Sequence, residues 1–374
     1  MFKRIAAIQV LANGAFLASF TYISIYGWEI GLSKLQITLI AALYSIAAFF
    51  SSYLFGRAAD RYGRRKMLNI GLIGASVFAL LQALGWSFPS LAILRFLAGI
   101  GFGMFPAALA GYAFSARSKM GRFSAFGALG WGISVFISGI IAEAWGVRSV
   151  FIFGSILLLS AFLISRTLKP IPQVKLRTPL FPVKMVMRNR AILFPFILRH
   201  ATASSIWILW PLFLKDNIGL SLWDIGVVQA TNSTTQFVFM YIIGDRIKPR
   251  VSVAVGLIAT SAAVFSFTLI QTYPLFLATQ VVLGFSWAML YVGALRYMLE
   301  SNPERATAAG LLNSSISFSS LMGPLISIVI VALMPTISYE GPMYVAGIAS
   351  VTAFVIFVIS ARMRRNAGSD MHSQ

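Results

Sequence analysis

The sequence predicts an all-α polytopic membrane protein whose twelve transmembrane helices form two six-helix bundles related by a pseudo-twofold axis. Three observations carry this. Of 374 residues, 58% are hydrophobic and only 11% charged, with a mean hydropathy of +0.83, far from the roughly 25% charged of a soluble domain. The charged residues gather in short gaps between apolar runs long enough for a bilayer crossing, about 20 residues each. The second half of the chain also repeats the first at a nearly constant offset.

Twelve runs follow in order: 5–26, 36–56, 67–86, 88–114, 121–142, 148–167, 190–213, 222–243, 251–271, 273–297, 305–334 and 342–361. The first follows Lys3 and Arg4 and exceeds the about 7–15 residues of a signal-peptide core, so it reads as a span. The eighth carries Gln229, Asn232, Ser233, Thr234, Thr235 and Gln236. Such polarity is costly against lipid, so this span is expected to face other helices or water. Residues 168–189 hold Pro170, Pro172, Pro179 and Pro182, a density that favours an extended connection over a packed helix. The chain therefore divides into an N-terminal bundle at 1–167, a cytoplasmic linker at 168–189 and a C-terminal bundle at 190–374.

The basic residues predict orientation. With both termini cytoplasmic, 25 of the 30 lysines and arginines, Lys175 and Arg177 among them, fall in inner segments. Only Lys34, Arg148 and Lys215 fall outside, the bias expected of a multi-pass protein of the cell membrane. The net charge of +20 lies in loops rather than on one soluble face, which argues against nucleic acid as a partner. Cysteine is absent, and His200 and His372 are the only histidines. No disulfide, metal site or cofactor is expected, and no Walker sequence exists to bind ATP.

At an offset of +185, Asp60, Arg61 and Arg65 fall on Asp245, Arg246 and Arg250, and Arg95 on Gln280. Near +188, GLSKLQI from Gly31 matches GLSLWDI from Gly219, and at +183 Arg122 and Gly127 match Arg305 and Gly310. An even number of spans per half makes both halves enter from one side, with an axis along the membrane normal and a cavity at their interface.

Gly56 to Lys66, GRAADRYGRRK, is a dense knot of charge between two apolar runs, and Gly63 in it suits a φ > 0 position. Its Gly56, Asp60, Arg61, Gly63, Arg64 and Arg65 resemble the signature loop of the major facilitator superfamily between spans two and three. Arg95, Gly99, Gly101 and Gly103 resemble that family's span-four pattern. The resemblance extends over all twelve spans and implies a carrier fold, with Asp60 near the start of span eleven, where a carboxylate would meet the positive end of a helix. Asp245 and Arg246 would echo this joint. Ser301 and Glu304 have the spacing of a capping box at the same helix start. The resemblance also connects Arg95 with proton movement, against the plainer reading of a helix-to-helix hydrogen bond. Span five departs from the family's antiporter pattern: it has Gly130, Gly132 and Gly139 but no proline.

Arg199 and Arg95 are the basic residues inside apolar runs, and no acid accompanies them. A mid-membrane arginine costs about 2.5–3.5 kcal/mol, so each should face a cavity or a partner. For Arg199 and its neighbour His200 the choice is substrate or coupling contact, or structural hydrogen bonding, including to carbonyls freed by Pro195. Further polar faces comprise Gln229, Asn232 and Gln236; Gln280, Trp287 and Tyr291; and Asn313, with Asn13 in span one. Such residues serve either as cavity lining or as interhelical glue. Trp210 reads as an anchor in the interfacial belt. The glycines at 99, 101 and 103 read as sites of close helix approach.

The expected activity is secondary or facilitative transport of a small organic solute by alternating access, with an anionic or neutral solute favoured. His200 is the group whose ordinary pKa suits proton coupling. The chain is expected to be monomeric and not an enzyme, since no span clusters a nucleophile with carboxylates. An exporter of drugs or metabolites, or a membrane sensor of the same fold, are the alternatives.

Overall fold

The computed structural model describes residues 1–172, 176, 178–207, 209–270, 272–337 and 339–370. Lys175, Arg177 and His372 lie outside the described residues. Twelve long helical segments follow one another: span one Phe2–Glu29, two Lys34–Tyr62, three Arg64–Leu81, four Phe88–Met104 continued by Pro106–Ser115, five Met120–Trp145 and six Arg148–Arg166. The second half comprises span seven Val183–Trp207, eight Leu222–Ile242, nine Pro249–Leu269, ten Tyr273–Glu300, eleven Arg305–Leu333 and twelve Glu340–Asp370. Ten of them, counting span four as one, are long and apolar enough to cross a membrane; spans seven and eight, the more polar pair, are not in that set.

Two spans differ from their apolar runs. Span four breaks at Phe105, because Pro106 has no N–H to continue the ladder and instead opens a new helix at its first position. Span seven begins at Val183, inside the stretch read as linker. The last of the four prolines is Pro182, and its carbonyl accepts the first bond of the helix from the Val186 N–H at 2.8 Å. The extended part of the linker lies across the end of span two. Arg57 donates to the Thr178 carbonyl at 2.7 Å, Tyr53 to that of Pro179 at 2.9 Å, and the Leu176 N–H to that of Asp60 at 3.2 Å.

The helix pairings reproduce the internal repeat. Within the first half, span two packs on four, one on five and six, and three on four and six. Within the second, eight packs on ten, seven on eleven and twelve, and nine on ten and twelve. Adding six to each first-half pair yields a second-half pair. The halves meet mainly along two with eleven and five with eight, which the same operation exchanges, with four against eleven and ten against five beside them.

The halves are joined at one end. At the end bearing the Gly56–Lys66 loop, here the basic end, a single buried core draws Leu68, Ala107, Ala108 and Phe123 together with Phe196, Leu299, Ala306 and Leu312. At the opposite end the cores are separate. Ile23, Tyr26, Leu32, Ile40 and Phe151 belong to the first half alone, and Trp210, Phe213, Phe267 and Phe276 to the second. Along spans two and eleven the contact runs from Gly56 against Ala306 to the ring pair Phe49–Phe318. Twelve residues of helix separate Ala306 from Phe318, about 18 Å, roughly half a bilayer core.

Candidate functional site

Gly63, at φ +114°, breaks the chain between spans two and three in a conformation that side-chain-bearing residues rarely adopt. This break leaves Asp60 in the last turn of span two, fully enclosed. One of its oxygens, Oδ1, accepts from Arg64 Nε at 3.0 Å and Nη2 at 2.7 Å and from the Ala306 N–H at 3.3 Å; the other accepts from the Thr307 N–H at 2.7 Å and hydroxyl at 2.8 Å. Ala306 and Thr307 are the second and third residues of span eleven, so a carboxylate from the first half supplies the cap that this helix lacks. Ser301 and Glu304 form no capping box. The helix starts at Arg305, one residue past Glu304, and Ser301 still closes the end of span ten with its N–H on the Tyr297 carbonyl. Glu304 pairs with Arg188 at 3.2 Å instead.

Asp245 does the same at the symmetric position. Its two oxygens accept from the N–H groups of Gly121 at 2.8 Å and Arg122 at 3.0 Å, the second and third residues of span five. Two carboxylates, one from each half, thus cap the first turn of a helix in the other half. Arg64 is the partner of Asp60, while Arg61 and Arg246 remain exposed. Arg65 donates to the Arg166 carbonyl at 2.6 Å, at the negative end of span six.

In the interior, Arg95 is buried within the first half. Nη1 donates to Gln82 at 2.9 Å and Ser19 at 3.1 Å, and the guanidinium lies 4.1 Å above the Tyr44 ring. These partners come from spans one and two and the turn after span three, a helix-to-helix network. Its Nε is sealed without a partner, as is the Gln82 amide nitrogen. Sequence reasoning missed Ser19, Tyr44 and Gln82, which are unremarkable polar residues in apolar runs. The close approach expected of Gly101 and Gly103 is present: a Cβ at either would fall within 3.0 Å of Ala75 or Ser51.

Arg199 is buried in span seven. Nε donates to Thr260 of span nine at 3.0 Å, Nη1 stands 3.5 Å from His200 Nδ1, and the guanidinium lies 5.5 Å from the Trp287 ring centre. Thr260 in turn donates to the Gly256 carbonyl at 2.8 Å and lies 3.3 Å from the Ser286 hydroxyl. Neither Arg199 nor His200 takes up a carbonyl freed by Pro195, because Thr260 lies within reach of the guanidinium. His200 stacks on Trp287 at 5.0 Å and Trp287 on Tyr291 at 5.4 Å, a ladder of three half-buried rings. Trp287 and Tyr291 pack against the shared core and against a smaller cluster that holds Ala125 and Ala128 of span five with Met240 and Val292 of the second half. Thr260 is the partner that the sequence did not announce.

The remaining candidates are dispersed around this centre. Asn232 accepts from the Gln236 amide at 2.6 Å, leaving Asn232 Nδ2 and Gln236 Oε1 sealed without partners. Gln229 is exposed, while Gln280 is buried with its amide nitrogen unpartnered. Asn13 is half-buried, donates to the Gln9 carbonyl at 3.0 Å and lies against Gly127; Asn313 is half-buried in span eleven. Trp210 is no interfacial anchor. It is buried, with its ring 4.6 Å from that of Phe267 and 5.7 Å from that of Phe276, in the short helix Trp210–Leu212 beyond the end of span seven at Trp207.

Paired bundles, a repeat about an axis between them and reciprocal carboxylate caps at one end define the class of a two-bundle membrane carrier fold. Comparison with known proteins agrees. The Major Facilitator Superfamily profile matches residues 5–231 and 192–370, and the chain belongs to that family. It is 33% identical over 147 residues to the putative metabolite transport protein YyaJ of Bacillus subtilis, covering 37% of this chain and 32% of that protein. It is 25% identical over 154 residues to the quinolone resistance protein NorA of Staphylococcus aureus, covering 40% of this chain and 38% of that one. These matches thus span little more than a third of the curated relatives' length. The crystal structure of the human organic anion transporter MFSD10 (TETRAN) superposes with a TM-score of 0.78 over 95% of this chain and 99% of that chain. At 14% identity that likeness shows the fold.

Proposed function

We propose that the protein is a secondary carrier that moves a small organic solute across the cell membrane by alternating access, without ATP, and that it is not an enzyme. One observation carries this: the two halves are tied at a single end, by caps that the repeat exchanges, and keep separate cores at the other. Such a molecule can rock between two closures. Asp60 and Asp245 are its latches, with Gly56, Gly63, Arg64 and Arg65 shaping the first and Arg61 and Arg246 presenting charge beside them. The bundles are 1–167 and 190–374 about the linker read at 168–189, whose last residues, from Val183, already belong to the helix of span seven. The basic bias supports cytoplasmic termini, so this closure faces the cytoplasm and the unjoined end faces outside.

The solute site lies between the halves, around Arg199, His200, Trp287 and Tyr291, with Asn13, Gln229, Asn232, Gln236, Gln280 and Asn313 toward its walls. A buried cation without a membrane-embedded acid favours anionic or neutral solutes over cations. Arg95, tied inside its own bundle, links spans one to four. His200 is the group through which protons would couple, and the carrier works as a monomer. The similarity to YyaJ, a putative metabolite transport protein, and to NorA, a quinolone resistance protein, supports solute transport and leaves room for an exporter of the same fold. Uptake of a panel of organic acids, sugars and amino acids into proteoliposomes, with and without a pH gradient, tests the proposal. Saturable uptake abolished by Asp60→Asn is expected; no flux for any class would leave a sensor of carrier fold. Uptake indifferent to both the pH gradient and His200→Gln would remove the proton-coupling role.

A further inference from the structure

We propose that the ring ladder of the second half, headed by Arg199, recognises a planar aromatic monocarboxylate, with Arg199 as its counterion. This rests on the carrier reading above and names its substrate class.

The charge comes first. All ten acidic residues lie at helix ends or in loops, so no protein carboxylate neutralises Arg199 within the membrane. A buried, uncompensated guanidinium is costly unless an anion reaches it. Its Nε is held by Thr260, which fixes the plane of the group, and Nη1 has only a long contact of 3.5 Å to His200. Nη2 has no protein partner among the described residues and, unlike Nε of Arg95, is not sealed. An arginine oriented through Nε with its Nη edge free is arranged for two parallel N–H···O bonds to a carboxylate.

The body of the ligand follows from the rings. His200, Trp287 and Tyr291 stack with interplanar angles of 23° and 19°, and all three are half-buried. The guanidinium sits 5.5 Å from the Trp287 centre, so the cation and the ladder adjoin. A flat aromatic ligand can lie along that ladder with its carboxylate at Nη2, gaining ring contacts that an aliphatic chain cannot. The charge count follows from the other arginine. Arg95 is enclosed by Tyr44, Ser19 and Gln82 and offers no second cationic contact, so a dianion would keep one charge unpaired.

The test uses the full chain in lipid nanodiscs, with 2-naphthoate, 2-naphthamide and 2-naphthylmethylammonium as probes, titrated calorimetrically. Naphthoate should bind at least about tenfold tighter than the amide, the margin of a charge-assisted pair over a neutral one. Arg199→Gln should bring that ratio close to one, Arg199→Lys should keep part of it, and Trp287→Leu should weaken acid and amide alike. If Arg199→Gln does not fold, Arg199→Lys decides through the ratio alone. The assignment is overturned if the wild-type chain binds acid and amide equally, prefers the ammonium probe or binds no naphthoate. It is equally overturned if both arginine variants keep the full ratio. Proteoliposome flux separates the two readings. Charge-selective naphthoate binding without any flux overturns the carrier and spares the site, whereas flux of uncharged solutes indifferent to Arg199 overturns the site and spares the carrier.

Discussion

Asp60 is enclosed and accepts from Arg64 as well as from span eleven, whereas Asp245 is half-buried and accepts from two backbone N–H groups of span five. The two caps are therefore unequal. Asp60→Asn strands the Arg64 charge as well as losing the cap, a change of about 3–5 kcal/mol for a buried pair. Asp245→Asn loses charge at a cap alone, about 0.5–2 kcal/mol. The chain has no native cysteine, so labelling of Ser314→Cys, buried at the seam where its hydroxyl bonds the Phe49 carbonyl, reports opening. Labelling should rise strongly with Asp60→Asn and modestly with Asp245→Asn; equal rates would contradict the ranking. The Asp60 cap was legible because a lone carboxylate in a basic loop needs a positive partner, and the family resemblance named one. Thr260, Gln82 and Tyr44 were not legible, since which hydroxyl or ring meets a buried arginine depends on how helices far apart in sequence are rotated. Ser301 and Glu304 had a cap's spacing but not its helix start.

At the scale of the helix, the seam between spans two and eleven depends on two glycines facing each other. A Cβ on Gly56 would fall 2.5 Å from the Ala306 carbonyl oxygen, and one on Gly310 would strike the Ser52 carbonyl. Gly56→Ala and Gly310→Ala should each wedge the seam apart at about 1–3 kcal/mol. Spin labels on the basic ends of spans two and eleven should then report longer distances. Gly256 is equally tight, 2.5 Å from Leu290 N, but lies between spans nine and ten of one half. Gly256→Ala should accordingly lower the melting temperature without altering those distances. Gly226 has open space around it, and Gly226→Ala should change neither. Span number was readable from hydropathy and charge alone. The ends of spans four and seven were not, because the Pro106 break and the helical start at Val183 are set by backbone bonding, which apolar content does not report.

For the molecule as a whole, the repeat found at offsets of 183 to 188 reappears as matched helix pairings, since charged residues at span boundaries mark the same joints in each half. Which end is joined was not readable, because hydropathy, charge and the repeat are the same in either closure. That closure can be held. A Cβ on Gly132 of span five would lie 3.7 Å from the Ser233 Cβ of span eight, within disulfide range. Oxidised Gly132→Cys/Ser233→Cys should stop uptake and recover with reductant; undiminished uptake in the oxidised protein would mean that spans five and eight do not part during the cycle. Around Gly56, Gly111 and Gly310 the seam is methyl groups and backbone, but the core that joins the halves also holds Phe123, Phe196, Leu299 and Leu312, and Phe126 of span five meets Phe237 and Tyr241 of span eight. Parting the halves uncovers this apolar area, so the opening carries a heat-capacity change of its own. The balance between the joined and parted states should therefore follow a curved van 't Hoff line, and cooling should weaken the joined state, because the hydrophobic part of its hold fades as the temperature falls.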